Sequence, residues 1–265
     1  MKLFDSHAHY NDEKFESDIQ EIIQQIKQEG IEKFVVAGYN LEASKKAIEI
    51  ANAYSNVYAT VGISPNDLDT EINLDEIEKI AKNEKVVAIG EIGLDYYWNK
   101  ENKEKQKETF IKQIEIANKL DLPIVIHTRE AVMDTIDILK NKAICKNTGI
   151  FHCCPLNIEL IKEGLKLGYY ISFSGNITFK NSKNADKCIL EVPEDRLLIE
   201  TDSPYLSPEP KRGTRNDSRN VKYVAQKIAE VREKTIEEIS EITYKNAEHV
   251  FKMDKGTVLL STQRK

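Results

Sequence analysis

The sequence lacks the features of membrane proteins, secreted proteins and proteins that bind long nucleic-acid duplexes. No apolar run approaches the roughly 18 to 20 residues that cross a membrane, and the first residues lack the apolar core of a signal peptide. The 4 cysteines in 265 residues form no disulfide framework. With 38 basic and 44 acidic residues, the net charge of −6 argues against a broad basic surface. We therefore expect a cytoplasmic protein with reduced cysteines and no membrane partner.

Glycine is missing from the turn after the first apolar segment, which reads Asp5-Ser6-His7-Ala8-His9. An open, doubly wound sheet is the main alternative fold for a chain of this kind. Such a sheet normally carries a glycine-rich, phosphate-binding turn after its first strand. The absence of that turn disfavours the open sheet.

Eight short apolar segments typical of β-strands alternate with polar stretches of helical periodicity. Near-continuous runs of Val and Ile indicate strands buried on both faces, which pair in parallel through helical crossovers. Eight such units in 265 residues predict an α/β fold of one domain, a (β/α)8 TIM barrel. The predicted strands are Lys2–Asp5, Lys33–Gly38, Val57–Gly62, Val86–Glu91, Pro123–His127, Gly149–His152, Tyr169–Phe173 and Leu197–Asp202.

The remaining chain after the eighth strand predicts closing helices and a tail. Val221–Val231 and Ile236–Phe251 have the periodicity of amphipathic helices. No linker or low-complexity segment interrupts the chain, so we assign residues 1–265 to one domain. Residues 252–265 are expected to form a C-terminal tail.

Polar residues end several of the predicted strands, where a TIM barrel has its active site. They are His7 and His9 on strand one, Glu91 on strand four, His127 on strand five, His152 on strand six, and Glu200 and Asp202 on strand eight. Each has an ordinary explanation when taken alone, as a loop histidine, a core histidine bonded to backbone, or a surface carboxylate. Together they predict a cluster on one rim of the barrel.

The spacing of these residues suits metal binding. His7 and His9 are two residues apart in an extended segment, so their imidazoles lie on the same side. Glu91 interrupts an apolar stretch, where an unpaired carboxylate is costly to bury and a cation would compensate. Glu200 and Asp202 repeat the two-residue spacing. Asp202 suits the roles of metal ligand and proton acceptor, and Glu200 that of a partner that orients a ligand histidine, unless one of them faces the helices and water.

Histidine and carboxylate donors with an open coordination position predict two divalent cations, Zn²⁺, Mn²⁺ or Mg²⁺. Two such ions promote hydrolysis at phosphorus. A thiolate zinc site at Cys153 and Cys154 is disfavoured, because adjacent residues on a strand point to opposite faces and no Cys-x-x-Cys pair exists. We interpret all four cysteines as packing residues.

Basic and aromatic residues near the strand ends could contact a substrate. Arg129 lies two residues beyond His127, and Arg212, Arg215 and Arg219 follow the eighth strand. A guanidinium can bind two phosphate oxygens at once; the alternative is a solvated charged loop. Tyr96, Tyr97 and Trp98 could stack on bases or pack on loops.

In combination, these motifs make the chain resemble the TatD family of metal-dependent deoxyribonucleases, which belong to the amidohydrolase-like barrels. The resemblance covers about residues 1–251. The matching segments are Asp5-Ser6-His7-Ala8-His9, Gly90-Glu91-Ile92-Gly93-Leu94-Asp95-Tyr96-Tyr97, Pro123-Ile124-Val125-Ile126-His127-Thr128-Arg129-Glu130, Ile199-Glu200-Thr201-Asp202-Ser203-Pro204-Tyr205-Leu206 and, in the closing helix, Asn246-Ala247 with Phe251.

The resemblance implies a two-metal hydrolase that acts on DNA. One ion would be held by His7, His9, Glu91 and Asp202, and the other by Glu91, His127 and His152, so that Glu91 bridges them. A metal-bound hydroxide would attack the terminal phosphodiester, and Asp202 would take or position its proton. The implied activity is that of a 3′-to-5′ exonuclease on single-stranded DNA or 3′ ends, and we expect a monomer.

Two departures from the family pattern leave other functions open. The family reads Gly-x-His-Pro after strand three, whereas this chain has Gly62-Ile63-Ser64-Pro65, so that Ser64 replaces a substrate-contacting histidine. After His152, Cys153-Cys154-Pro155-Leu156 replaces the usual loop. One alternative is an amidohydrolase acting on a carbonyl substrate such as a lactone or amide, although Glu91 occupies the place where those enzymes often have a carbamylated lysine. The other alternative is a metal-binding homologue without catalytic activity.

Overall fold

The computed structural model describes residues 1–69 and 72–253. Within them, eight parallel strands follow one another in sequence order in a single sheet. The strands are β1 (Leu3–Ala8), β2 (Ile31–Ala37), β3 (Val57–Val61), β4 (Val86–Asp95), β5 (Ile124–Arg129), β6 (Gly149–Phe151), β7 (Tyr170–Phe173) and β8 (Leu197–Ile199). The helices are α1 (Ile19–Gln28), α2 (Leu41–Ala53), α3 (Leu74–Ile80), α4 (Lys103–Leu120), α5 (Val132–Asp137), α6 (Ile158–Lys166), α7 (Ala185–Glu191), α8 (Val221–Arg232) and α9 (Ile236–Val250).

Contacts between β1 and the segment after β8 close the sheet into a barrel. Ala8 and Ser203 form a parallel bridge, and the backbone N–H of Asp202 donates to the carbonyl of His7 at 3.0 Å. The buried carboxylate of Asp5 accepts hydrogen bonds from the N–H and the hydroxyl of Thr201, at 2.9 and 2.6 Å. The predicted TIM barrel is therefore confirmed.

The helices pack on the barrel through apolar faces. On α1, Ile22, Ile23 and Ile26 are buried, as the spacing of an amphipathic helix requires. The last helix, α9, begins with a capping box in which Thr235 and Glu238 satisfy each other's backbone N–H groups. Among the described residues, no helix is both long enough and apolar enough to span a membrane.

An apolar cluster fills the part of the barrel near the amino ends of the strands. It contains Phe4, Val87, Val125, Ile150, Tyr170 and Leu198, together with Ala247, Val250 and Phe251 from the end of α9 and the residue after it. The ring of Phe4 lies 5.9 Å from that of Phe251. At the other end, His7, His127 and His152 lie toward or just after the carboxyl ends of β1, β5 and β6.

Strand β4 is longer than predicted. It continues to Asp95 because its ladder with β5 extends through the pairs Gly93 with His127 and Asp95 with Arg129. The backbone of Gly93 has φ +139°, and a Cβ placed there would lie 2.0 Å from the carbonyl oxygen of His127. Glycine is therefore required for the close pairing of the two strands at His127.

Other predicted boundaries shift by a few residues. Strand β1 reaches Ala8, whereas β6 and β8 end at Phe151 and Ile199, so His152, Glu200 and Asp202 follow strands rather than end them. Most of the predicted tail, residues 254–265, lies outside the described residues.

Candidate metal centre

The six predicted metal ligands meet in one cluster at the carboxyl ends of the strands. Side-chain donors of His7, His9 and Glu91 lie within 4.8 Å of one another, and so do those of Glu91, His127 and His152. The donors of His7, His152 and Asp202 also lie within 4.8 Å of one another. Strands β1, β4 and β5 carry His7, Glu91 and His127, and the segments just after β1, β6 and β8 carry His9, His152 and Asp202.

The two oxygens of the Glu91 carboxylate face different histidine pairs. Oε2 lies 3.4 Å from Nε2 of His7 and 3.6 Å from Nε2 of His9. Oε1 lies 3.0 Å from Nδ1 of His127 and 3.5 Å from Nε2 of His152. Glu91 therefore stands between two groups of donors.

Asp202 belongs to the first of these groups. Its Oδ1 lies 3.3 Å from Nε2 of His9 and 3.7 Å from Nε2 of His7, and these two nitrogens are 3.1 Å apart. The Asp202 side chain keeps 16% of its surface exposed, twice the fraction of Glu91. Asp202 thus combines contact with the donor cluster and access to solvent.

The electrostatics of the cluster favour cations. Burial by itself would raise the pKa of Glu91, but His152, His127 and His7 hold it well below its usual value, so the carboxylate stays ionised. Burial opposes protonation of His152 as well, yet Glu91 and Glu200 raise its pKa well above the ordinary value. A buried site in which carboxylates stay ionised and favour the protonated form of a neighbouring histidine would also favour a bound cation.

The donor set fits divalent metal ions. Imidazole nitrogens and carboxylate oxygens face one another at 3.0 to 3.7 Å inside a buried site. The Nε2 atoms of His7, His9 and His152 face Glu91. Within the described residues, the buried Nδ1 atoms of the same three rings have no hydrogen-bond partner. A site of mixed nitrogen and oxygen donors suits Zn²⁺ and Mn²⁺, and its carboxylates also suit Mg²⁺.

Asp95 supports this cluster from behind, a role that the sequence reasoning missed. Its Oδ2 lies 2.9 Å from Nε2 of His127, on the opposite side of the ring from Glu91, and accepts a hydrogen bond from Asn66 at 3.1 Å. Burial would raise the pKa of Asp95, but the contact with His127 and a backbone N–H lowers it to about 2. The motif Gly93-Leu94-Asp95 was a possible signal, because Asp95 ends the same strand that carries Glu91.

Glu200, which was predicted to orient a ligand histidine, lies beside His152. It is completely buried, and its Oε1 lies 3.4 Å from Nδ1 of His152. The same oxygen accepts a hydrogen bond of 2.7 Å from the backbone N–H of Cys153. Glu200 therefore contacts both the ring and the turn that follows it.

The residues predicted to contact a substrate do not form a single group, unlike the predicted metal ligands. Arg129 ends β5 beside the cluster, with its guanidinium 3.8 Å from the centre of the Tyr97 ring. Ser64 is buried and donates a 3.2 Å hydrogen bond to Asp67. Arg215 forms an ion pair of 2.5 Å with Asp18.

The remaining basic residues of the loop after β8 also contact nearby protein groups. Arg212 lies over the ring of Phe179 and donates to the carbonyl of Ser207. Arg219 forms an ion pair of 2.8 Å with Asp217. The structure thus brings Arg129 beside the metal candidates, while Arg212, Arg215 and Arg219 are occupied by other residues.

All four cysteines are free thiols. Burial raises the pKa of Cys153 and of Cys154 well above the ordinary value, which keeps both thiols protonated. Cys154 and Cys188 are members of the apolar core. Cys145 packs against the same core. The packing of Cys145, Cys154 and Cys188 agrees with their interpretation as packing residues, whereas Cys153 belongs to neither apolar cluster and lies beside Glu200.

Comparisons with known proteins bear on this site. A family model described as "TatD related DNase" matches residues 4–252. The chain is similar to YabD of Bacillus subtilis (strain 168), an "uncharacterized metal-dependent hydrolase", with 45% identity over 254 residues, 95% of this chain and 100% of YabD. It is 34% identical over 257 residues to YcfH of Escherichia coli (strain K12), described in the same words, over 96% of this chain and 97% of YcfH.

Solved structures agree with these sequence matches. The crystal structure of YjjV, a TatD homologue from Escherichia coli K12, superposes with a TM-score of 0.89 at 27% identity, covering 94% of this chain and 98% of YjjV. A hydrolase of the TatD family from Entamoeba histolytica superposes with a TM-score of 0.83 at 25% identity, over 94% of this chain and 98% of that protein.

Proposed function

The chain belongs to the TatD-related DNase family of metal-dependent hydrolases, and on that premise we propose that it is a two-metal phosphodiesterase. Its proposed activity is the release of nucleotides from the 3′ end of DNA, with single strands and strand ends as substrates. We further propose that it acts in the cytoplasm as a monomer.

The position of Glu91 carries this proposal. One carboxylate oxygen faces His7 and His9 and the other faces His127 and His152. In the proposed centre, His7, His9, Glu91 and Asp202 would hold one divalent ion, and Glu91, His127 and His152 would hold the other. When bound, a pair of such ions polarises phosphoryl oxygens and acidifies a water molecule, chemistry that suits displacement at phosphorus.

Asp202 is the proposed proton acceptor. Burial opposes ionisation of its carboxyl, but His9 and the other nearby histidines lower its pKa, so a carboxylate is available. It is more exposed than Glu91, and a water molecule can therefore reach it from the rim. In this role Asp202 accepts the proton of the attacking water, a step that requires the carboxylate within hydrogen-bond distance of it.

The supporting residues keep the histidines oriented. Asp95 accepts from the outer nitrogen of His127, and Glu200 lies against the outer nitrogen of His152. The hydrogen bond from His127 to Asp95 fixes the tautomer of that imidazole, so that its inner nitrogen keeps its lone pair for an ion. Asp95 and Glu200 thus prepare the two histidines of the same proposed subsite.

Substrate contacts are proposed for Arg129, which ends β5, and for Ser64, which follows β3. Arg129 supplies a positive charge beside a cluster that is otherwise rich in carboxylates. Ser64 offers a hydroxyl where the family has an imidazole, so it contributes hydrogen bonding without charge. Contact of Arg212 and Arg215 with substrate remains a prediction, since each must first leave its present protein partner.

A time course of nucleotide release tests the proposed activity. Protein stripped of metal and resupplied separately with Mg²⁺, Mn²⁺ and Zn²⁺ is incubated with single-stranded DNA labelled at its 5′ end. We expect a ladder that shortens from the 3′ end only when metal is present, and that is lost in Asp202→Asn. Asp195→Asn is the matched control, because that carboxylate is 73% exposed and pairs with Arg196.

The outcome separates the proposed activity from its alternatives. Intact DNA in all lanes, with two ions bound per chain, would reject the nuclease and direct the search to other phosphoesters and to lactones or amides. Intact DNA that is nevertheless bound tightly with each metal would indicate a homologue that binds without catalysis.

A further inference from the structure

An exposed aromatic cluster lies beside the metal centre. Tyr97 and Trp98 follow β4 almost directly, and they are 45% and 69% exposed. Their rings meet edge to face, with centroids 4.8 Å apart and an interplanar angle of 88°. The guanidinium of Arg129 lies 3.8 Å from the centre of the Tyr97 ring and 5.5 Å from that of Trp98. We call Tyr97, Trp98 and Arg129 the aromatic platform.

The platform is anchored to the carboxylate that supports the metal centre. The backbone N–H groups of Tyr97 and Trp98 donate to Oδ1 of Asp95, at 2.9 and 3.1 Å. The other oxygen, Oδ2, lies 2.9 Å from His127. Arg129 follows His127 by two residues on β5 and pairs with Asp95 in the strand ladder. The platform is thus fixed within a few residues of a proposed metal ligand.

The size and charge of the platform indicate what it binds. A protein partner usually covers about 800 Å² per side, far more than two aromatic side chains provide. A single nucleobase matches the area of one indole ring, and stacking on aromatic residues accepts any base because every base has a π-face. Arg129 already covers Tyr97, whereas most of the Trp98 ring contacts solvent. Trp98 is therefore the more accessible ring for stacking, and Arg129, whose guanidinium lies 5.5 Å from the centre of that ring, carries a charge suited to phosphate.

We propose that the aromatic platform is a nucleobase-stacking subsite for single-stranded DNA. Trp98 stacks on an unpaired base close to the scissile phosphodiester, Arg129 contacts a backbone phosphate, and the Tyr97 ring holds Arg129 in place. This inference rests on the proposed function and specifies its substrate class, namely ends with at least one unpaired base and little sequence preference.

Trp98 is the single tryptophan of the sequence, so its emission reports directly on the subsite. The protein, loaded with Mn²⁺, is titrated with octathymidylate whose last linkage is a phosphorothioate to slow cleavage. A second titration uses the same strand with abasic residues at its three terminal positions. We expect saturable quenching of Trp98 by the first strand, and at least tenfold weaker binding of the abasic strand.

Variants test the stacking by fluorescence anisotropy of the same strands carrying a 5′ fluorescein. Trp98→Ala is expected to weaken binding of octathymidylate about tenfold, whereas Trp98→Phe retains most of the affinity because a ring remains. For the abasic strand, which offers no base to stack at its end, Trp98→Ala and wild type should have similar affinities. Leu190→Ala is the control, since Leu190 on α7 is 62% exposed and outside the platform.

The results distinguish this inference from the proposed function. If wild-type protein degrades DNA but Trp98→Ala binds octathymidylate as tightly as wild type does, the stacking subsite is rejected and the nuclease stands. If DNA remains intact while binding still depends on Trp98 and on the bases, the subsite stands and the nuclease is rejected. If the wild-type protein binds neither strand, the proposed subsite is wrong.

Discussion

Oδ2 of Asp95 lies 2.9 Å from Nε2 of His127, on the side of the ring away from Glu91. The same carboxylate fixes the backbone of Tyr97 and Trp98 through its other oxygen. A proposed metal ligand and the proposed stacking surface therefore depend on one side chain. This arrangement makes Asp95 a positioning residue for both parts of the site.

Replacing Asp95 by Asn should weaken metal binding without removing a ligand. An amide has no negative charge to hold the outer N–H of His127, and loss of such a partner typically costs 10- to 100-fold in metal affinity. We expect a decrease of this size for the ion that His127 would hold, measured by Zn²⁺ competition with a chromophoric chelator. Asp186→Asn, in an exposed ion pair with Lys227, is the control. Equal Zn²⁺ affinity in Asp95→Asn and wild type would contradict the role of Asp95.

Glu91→Gln should change the number of ions bound. The carboxylate faces both histidine pairs, and an amide offers one oxygen and no charge. Metal analysis after loading and desalting is expected to give two ions per chain for wild type and no more than one for Glu91→Gln. Glu241→Gln, whose carboxylate is 67% exposed on α9, serves as the control. Two tightly held ions in Glu91→Gln would rule out bridging.

Metal removal should lower the thermal stability of the protein. An ion present at 100 times its Kd stabilises the folded state by about 2.7 kcal/mol. For a chain of this size, each kcal/mol corresponds to a Tm change of about 2 to 4 °C, so we expect stripped protein to melt roughly 5 to 10 °C below metal-loaded protein. Differential scanning calorimetry with and without Mn²⁺ measures this difference. A Tm that does not respond to Mn²⁺ would count against a resident metal centre.

Gly93→Ala should disturb the metal centre through the backbone. The new methyl group would lie 2.0 Å from the carbonyl oxygen of His127, which forces β4 and β5 apart at a proposed ligand. We expect a loss of about 3 kcal/mol in the free energy of unfolding, measured by urea denaturation, together with weaker Zn²⁺ binding.

Gly168→Ala is the matched control for this substitution. Gly168 also has a positive φ, of +83°, but a Cβ there meets nothing within 4 Å. It should lose about 1 kcal/mol from backbone strain and bind Zn²⁺ like wild type. Similar stability and metal affinity in the two alanine variants would mean that the close approach at His127 is unimportant.

The barrel could be predicted from the sequence because its signals are local. Apolar runs of strand length and the helical spacings between them can be read residue by residue. Once eight such strands are assigned to a barrel, polar residues that end them are expected at the rim where the active site lies. The end of β4 was predicted too early, at Glu91 rather than Asp95. The reason is that the continued ladder depends on pairing with β5, which is not encoded within β4 alone.

The sequence by itself therefore determined the fold and the identity of a group of metal-binding candidates. Only the tertiary structure decided how Glu91 divides its oxygens between two histidine pairs, that Asp95 stands behind His127, and that Asp18 occupies the guanidinium of Arg215. These relationships join residues from 32 to 197 positions apart. They depend on strand register and on side-chain rotamers, in elements that pack together only in the closed barrel. Neither the register nor the rotamers can be read from a local stretch of sequence.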